Sequence, residues 1–451
     1  MHKAAFFFTL IFCLTLFTRQ EEVQVSSTPV IHNELNVIND LEHEKVTIEQ
    51  IISTFVDRAL EKSDLFIRNI PISTVEDAKI VSSAAAKIKD ITRVVFSKNG
   101  EQTEESEQDS HVLKDDVVQE LAKGLSQSPN LRVLAFTKNR FESAKSCASI
   151  ADLLSRSDSK IEKFYLYRNN ITDSSCLQKL AEPFKAEQPE SVNVTNKLFK
   201  VVILENQIKQ EEMKHLISLI ESSKLNITEL VLRNAGLNSG TAALLSKSLS
   251  SEKNKLTRLD VGENVDLGLE GFKTLCQAIS SSNRVTHLDI SNANLESVDA
   301  VKTLSSLITN TKTLVRVDLS DNKIGDQGLS ILLDTLKNKP SLTKIDISGA
   351  GLTDLGVTSL VDAVENKTIA LTKINLYRQD VSDDKLQVRV VNNDMVIKSE
   401  YFEENDDDNY DDDEDDDEYG DDDEDDEDDE EEDDVDEERP KNNKETVRDE
   451  L

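Results

Sequence analysis

Thirty of the 36 residues from 403 to 438 are Asp or Glu, and none is Lys or Arg. Carboxylate oxygens at this density are hard ligands that suit Ca²⁺. The expected donors are Asp406, Asp407, Asp408, Asp411, Asp412, Asp413, Asp415, Asp416, Asp417, Asp421, Asp422 and Asp423. They would share ions diffusely, at affinities of roughly 10⁻⁴–10⁻³ M or weaker. The spacing Asp415-x-Asp417-x-Tyr419-Gly420, ending at Asp426, only superficially matches a calcium loop. Its fifth position is Tyr, its twelfth is Asp, and no helices are expected on either side. The run has little apolar surface to bury and repels itself, so it is expected to be disordered.

Elsewhere, residues with catalytic chemistry are sparse. There is no Gly-rich phosphate loop, no H-E-x-x-H and no G-x-S-x-G. His2, His32, His43, His111, His215 and His287 are scattered, and only His287 falls on an expected strand. No Cys, His or carboxylate set has metal-ligand spacing. A binding protein is expected, not an enzyme, with no cofactor beyond weakly held calcium. Outside the acidic run stand 58 acids against 52 bases, an ordinary balance. The polyanionic segment would repel phosphates, so nucleic acid is not an expected partner.

Two further groups could do recognition chemistry. Arg68, Arg93, Lys98, Lys138, Lys163, Arg168 and Lys200 recur at matching positions, with Tyr165, Tyr167, Phe66 and Val202 among them. Only Asp64 and Glu205 oppose them. Exposed aromatics beside bases on a rigid sheet make a recognition surface, and a protein partner is expected there. Further along, Asp260, Asp289, Asp318, Asp346 and Asn375 recur beside Arg258, His287, Arg316, Lys344 and Lys373. These should form two self-neutralising ladders.

The elements that must hold these residues follow from one frame. Leu314-x-x-Val317-x-Leu319-x-x-Asn322-x-Ile324 reads as a short strand with one buried face, then a turn. Leu329, Leu332, Leu333 and Leu336 then share one helical face. One strand and one helix cannot bury both apolar faces alone, so copies must stack. The frame opens at Lys62, Ile91, Leu131, Ile161, Leu198, Ile227, Leu256, Val285, Leu314, Leu342 and Leu371. Its Asn position runs Ile70, Asn99, Asn139, Asn169, Asn206, Ala235, Asn264, Ala293, Asn322, Ala350, Gln379, so Asn and Ala alternate from Asn206 to Ala350.

This pattern resembles the leucine-rich repeats of the ribonuclease-inhibitor type over residues 62–381. The resemblance implies an α/β solenoid of about 11 repeats. It would be a horseshoe with a concave parallel sheet and convex helices. The acidic tail resembles calreticulin in composition. Repeats plus an acidic tail also resemble the Ran GTPase-activating protein, which would imply a cytosolic or nuclear regulator of a GTPase.

The ends favour another compartment. A basic start and the apolar run Ala4–Phe17 read as a secretory signal over 1–18, too short for a membrane span. Arg448, Asp449, Glu450 and Leu451 look like the KDEL-type address that retrieves lumenal proteins to the endoplasmic reticulum. Together they predict a monomeric lumenal protein. Sequons at Asn170, Asn193, Asn226 and Asn366 are compatible with that.

Between signal and repeats, 19–61 is expected to be a loosely ordered segment ending in a capping helix at 46–61. Acidic and Pro-broken insertions lie at 100–111 and 183–197. Residues 382–402 are expected to cap the sheet with a hairpin, 403–438 form the acidic segment, and 439–451 form the tail. Cys147 and Cys176 fall in helices of adjacent repeats, whose axes typically lie about 8–10 Å apart. That is long for a disulfide, so Cys147, Cys176 and Cys276 are expected to be buried free thiols.

Overall fold

The computed structural model describes residues 34–36, 396–398 and most of 64–379, omitting 69, 89–90, 100, 103–110, 170, 172–173 and 186–195. All of these lie in the unit Thr28–Phe402. The capping helix, the acidic segment with its calcium donors, the apolar N-terminus and the RDEL end lie outside the described residues.

The frame is an α/β leucine-rich-repeat solenoid. Its strands are β2 Asp64–Arg68, β3 Arg93–Ser97, β6 Val133–Thr137, β8 Lys163–Tyr167, β9 Lys200–Leu204, β10 Glu229–Val231, β11 Arg258–Asp260, β12 His287–Asp289, β13 Arg316–Asp318, β14 Lys344–Asp346 and β15 Lys373–Asn375. Each starts two residues after a frame opens. Every neighbouring pair is parallel, and β1 Glu34–Asn36 and β16 Val396–Lys398 extend the two ends. So 34–36 is a strand inside a stretch expected to be loose. The last strand pairs parallel with β15, while the rest of the expected hairpin lies outside the described residues.

Parallel strands need crossovers, and helices supply them. They are α1 Val75–Lys87, α2 Asp115–Leu125, α3 Ala144–Ser155, α4 Ser174–Ala181, α5 Gln210–Ile220, α6 Ser239–Leu249, α7 Gly268–Ser282, α8 Val298–Asn310, α9 Gly325–Leu336 and α10 Asp354–Glu365. One continuous core of Leu, Ile and Val lies between helices and sheet, including Leu314, Val317, Leu319, Leu329, Leu332 and Leu336. The insertion after β3 is more ordered than expected. β4 Glu101–Gln102, β5 His111–Leu113 and β7 Asn139–Phe141 form a separate three-stranded sheet.

The Asn positions close the turns. Asn139 Nδ2 donates to the carbonyls of Phe96 and Thr137, both at 2.9 Å, and its Oδ1 accepts from Asn99 N at 2.7 Å. The Asn/Ala alternation has a direct cause. Asn322 Oδ1 accepts from both Ala293 N and Leu295 N, so the Ala repeat needs no amide of its own. Helix ends use neighbouring repeats too. Asp115 accepts hydrogen bonds from the backbone and hydroxyl groups of Ser143 and Ser146. Burial raises its pKa, but these four bonds outweigh burial and hold it low.

The cysteine expectation fails. Cys147 and Cys176 form a disulfide, with Cα atoms 5.3 Å apart. The typical axis spacing is an average, and side chains that face each other across two helices close the gap. Cys276 stays a free, buried thiol, with its pKa pushed up by burial.

Candidate binding face

Alternation sends every second strand residue to the face away from the helices. On that face the third residues of successive strands stand in register. They read Phe66, Val95, Ala135, Tyr165, Val202 and Val231, then Asp260, Asp289, Asp318, Asp346 and Asn375. The row is apolar over six strands and polar over the last five. Strands lie about 4.8 Å apart, so each row is a continuous column.

The bases border the apolar stretch. Arg93, Lys163 and Lys200 stand in the row on one side. Lys98, Lys138 and Arg168 stand on the other, just past the strands, with φ of 51°, 52° and 50°. This left-handed position recurs before the Asn site in most repeats, also at Glu205, Asn234, Glu263, Asn292 and Asp321. The backbone N–H of Lys98, Lys138 and Arg168 donates to the next repeat's carbonyl at 3.2, 2.8 and 3.1 Å. The turn thus continues the sheet's hydrogen bonding, which fixes the three bases in one file.

The expected exposure of the aromatics does not hold. Tyr165 is 2% exposed and Tyr167 5%, and Phe66 and Val202 are also buried. None of these four belongs to the core between sheet and helices. Lys200 is buried as well, 5.8 Å above the Tyr165 ring. Arg168 lies 5.1 Å from the Tyr167 ring, and Arg68 lies 5.6 Å from Phe66. Such contacts set a cation against the ring face, where the ring's quadrupole attracts it. Acids already engage some bases: Glu205 holds Arg168 at 2.5 Å, and Asp64 and Glu229 approach Arg93 and Lys200 at 4.0 Å.

In the polar half one residue escaped sequence reasoning. Arg233 bonds Asp260 at 3.2 Å and Glu263 at 3.0 Å, and its third nitrogen reaches Asp289 one repeat further on. Burial lowers its pKa, but the three carboxylates outweigh burial and raise it. Gly262 makes room for this reach: a Cβ there would lie 3.2 Å from the guanidinium carbon and 2.8 Å from an Asp289 oxygen. The sequence carries a faint signal of it. Gly262, Ser291, Ser320 and Ser348 occupy the matching position in the next four repeats, a run of small residues that ends at Tyr377.

Of the sequons, Asn226 and Asn366 are exposed, and Asn170 and Asn193 lie outside the described residues. Among the described residues no cluster of His, Cys, Asp or Glu could hold a metal ion, and no helix is long and apolar enough to cross a membrane.

No curated protein matches the chain. Solved structures that resemble it include a chain of the TLR13–ssRNA13 complex, at 15% identity and TM-score 0.39, covering 66% of this chain and 37% of that one. This chain therefore spans little more than a third of that protein's length. A chain of the yeast Rad7–Elc1 complex matches at 13% identity and TM-score 0.42, covering 78% and 88%. An internalin, inlF, from Listeria monocytogenes matches at 13% and 0.34, covering 78% and 94%. Residues 311–332 and 338–361 match the family model described as Leucine Rich repeat. The family match falls on two consecutive repeats, whose parallel strands and helical crossovers recur along the described sheet.

Proposed function

We propose that this is a lumenal protein of the endoplasmic reticulum that recognises another polypeptide on the base-bordered half of its sheet. The divided face carries the reading. The repeats from Asp260 onward fold with carboxylates on the outer central row, so the fold does not require apolar residues there. Phe66, Val95, Ala135, Tyr165 and Val202 at the same positions are therefore surplus to the repeat, and, being buried, they back the bases at their borders rather than offer apolar surface themselves. The flanking bases select an acidic or polar rim on the partner.

The disulfide supports the compartment. Paired cysteines persist in oxidising surroundings and are rare in the cytosol. That weighs against a cytosolic regulator of a GTPase and agrees with the apolar N-terminus and the RDEL end. The acidic segment serves as a weak calcium polyelectrolyte. At two carboxylates per ion, its 30 acids hold at most about 15 ions.

The decisive experiment is quantitative cross-linking in cells, comparing the full chain with the Lys98→Glu/Lys138→Glu pair and with Lys302→Glu on α8 as control. The pair should lose the dominant cross-linked partner about tenfold or more while the control keeps it, as one desolvated contact of roughly 1.4 kcal/mol requires. Equal recovery from all three overturns the binding face. Deleting Arg448–Leu451 should release the protein to the medium, and unchanged retention overturns the localisation.

A further inference from the structure

The four carboxylates of the polar row are not equivalent. Each Oδ1 accepts a backbone N–H from two residues on: Gly262 for Asp260 at 2.8 Å, and Ser291, Ser320 and Ser348 for Asp289, Asp318 and Asp346, each at 2.9 Å. The Oδ2 atoms differ. Those of Asp260 and Asp289 both accept from Arg233. That of Asp346 accepts from Asn375 Nδ2 at 2.8 Å. Asp318 spends both side-chain bonds with Ser320 on Oδ1, leaving Oδ2 without a donor among the described residues. It stands in register between Asp289 and Asp346. Three carboxylates in a file with about 4.8 Å between strands cannot all ionise cheaply.

We propose that Asp318 carries a proton at neutral pH, donated from Oδ2 to a neighbouring carboxylate, and that losing it as pH rises loosens the last repeats. The row then acts as a proton-sensitive clasp on the C-terminal half of the solenoid.

The charged groups around Asp318 agree with this. Asp289 faces it from β12 and Asp346 from β14, both negative. His287, Arg316 and Lys344 stand in the adjacent row, two residues back along their strands, and none lies within ion-pair distance of Asp318. In the following turn, Asp321 bonds Arg378 at 2.7 Å. Burial first, then Asp289 and Asp346, push the Asp318 carboxyl up to about 7, against the Ser320 bonds. The proton is assigned to Asp318 because, among the described residues, its Oδ2 is the one in this row that lacks a donor. The chain also contains its own precedent: Asn375, at the end of the row, supplies by an amide the donor that a proton would supply at Asp318.

The sign follows from linkage. A carboxyl raised above its unfolded value of about 3.9 contributes stability that is complete below that pH and is lost as pH rises through about 7. In between, the unfolding constant gains a factor of about ten per pH unit from this group.

The test is urea unfolding of the full chain and of Asp318→Asn between pH 5 and 8, with ¹³C carboxyl NMR of the unmodified chain. From pH 5 to 7 the unmodified chain's unfolding constant should rise about fiftyfold relative to Asp318→Asn. The variant lacks the titrating group and keeps a donor. The Asp318 carboxyl resonance should titrate near 7. Parallel pH profiles for the two proteins overturn the proposal. A carboxyl titrating near 4 does so on its own, even if the variant fails to fold.

Discussion

Opening the Cys147–Cys176 disulfide tests how the solenoid survives its most interrupted repeat. The bond joins α3 to α4, the shortest of the described α-helices at 8 residues, just before the 183–197 insertion. Near it lies an apolar cavity of about 10 Å³ lined by Leu154, Phe164, Leu177, Leu180 and Phe184. The cross-link spans 29 residues. Chain-entropy arithmetic for a loop of that length gives about 3.6 kcal/mol at 25 °C, a change of several hundredfold in the unfolding constant. Both cysteines are paired in the bond, so alkylation under denaturing conditions without reductant should spare them and label Cys276. Urea unfolding followed by circular dichroism, with and without reductant, should show the reduced protein unfolding earlier. The Cys147→Ala/Cys176→Ala variant should match the reduced protein and ignore reductant. Coincident curves for oxidised and reduced protein, or labelling of both cysteines without reductant, would refute the reasoning.

Two other perturbations probe the frame. Asn139→Ala strands two buried carbonyls and the Asn99 N–H, and should cost about 3 kcal/mol in urea unfolding; a loss below about 1 kcal/mol would mean that water replaces the amide. Arg233→Met leaves Asp260, Glu263 and Asp289 without their shared cation. It should cost about 2–3 kcal/mol, less than a fully buried pair because the side chain is 27% exposed. Adding Asp289→Asn should recover part of that loss, and no recovery would place the effect in packing instead.

Sequence alone determined the period. Apolar positions at fixed spacing can be buried in only one way, by stacking strands on strands and helices on helices. From this follow the parallel sheet, the amide-closed turns and the alternation of Asn and Ala. It also determined which residues share a row, because in-register parallel strands convert equal frame positions into neighbours. Tertiary structure decided what sequence spacing cannot encode. Whether two cysteines meet depends on where side chains point across a helix pair, not on the distance between axes, so Cys147–Cys176 was missed. Whether an outer-face aromatic is exposed depends on what packs over it, so Tyr165 and Tyr167 were misjudged. Arg233 looks like one base among many until its length, and the missing Cβ of Gly262, let it span two repeats. That reach ends at Asp289. The limit is set by one side chain's length against the strand spacing, and it leaves Asp318 to find its donor elsewhere.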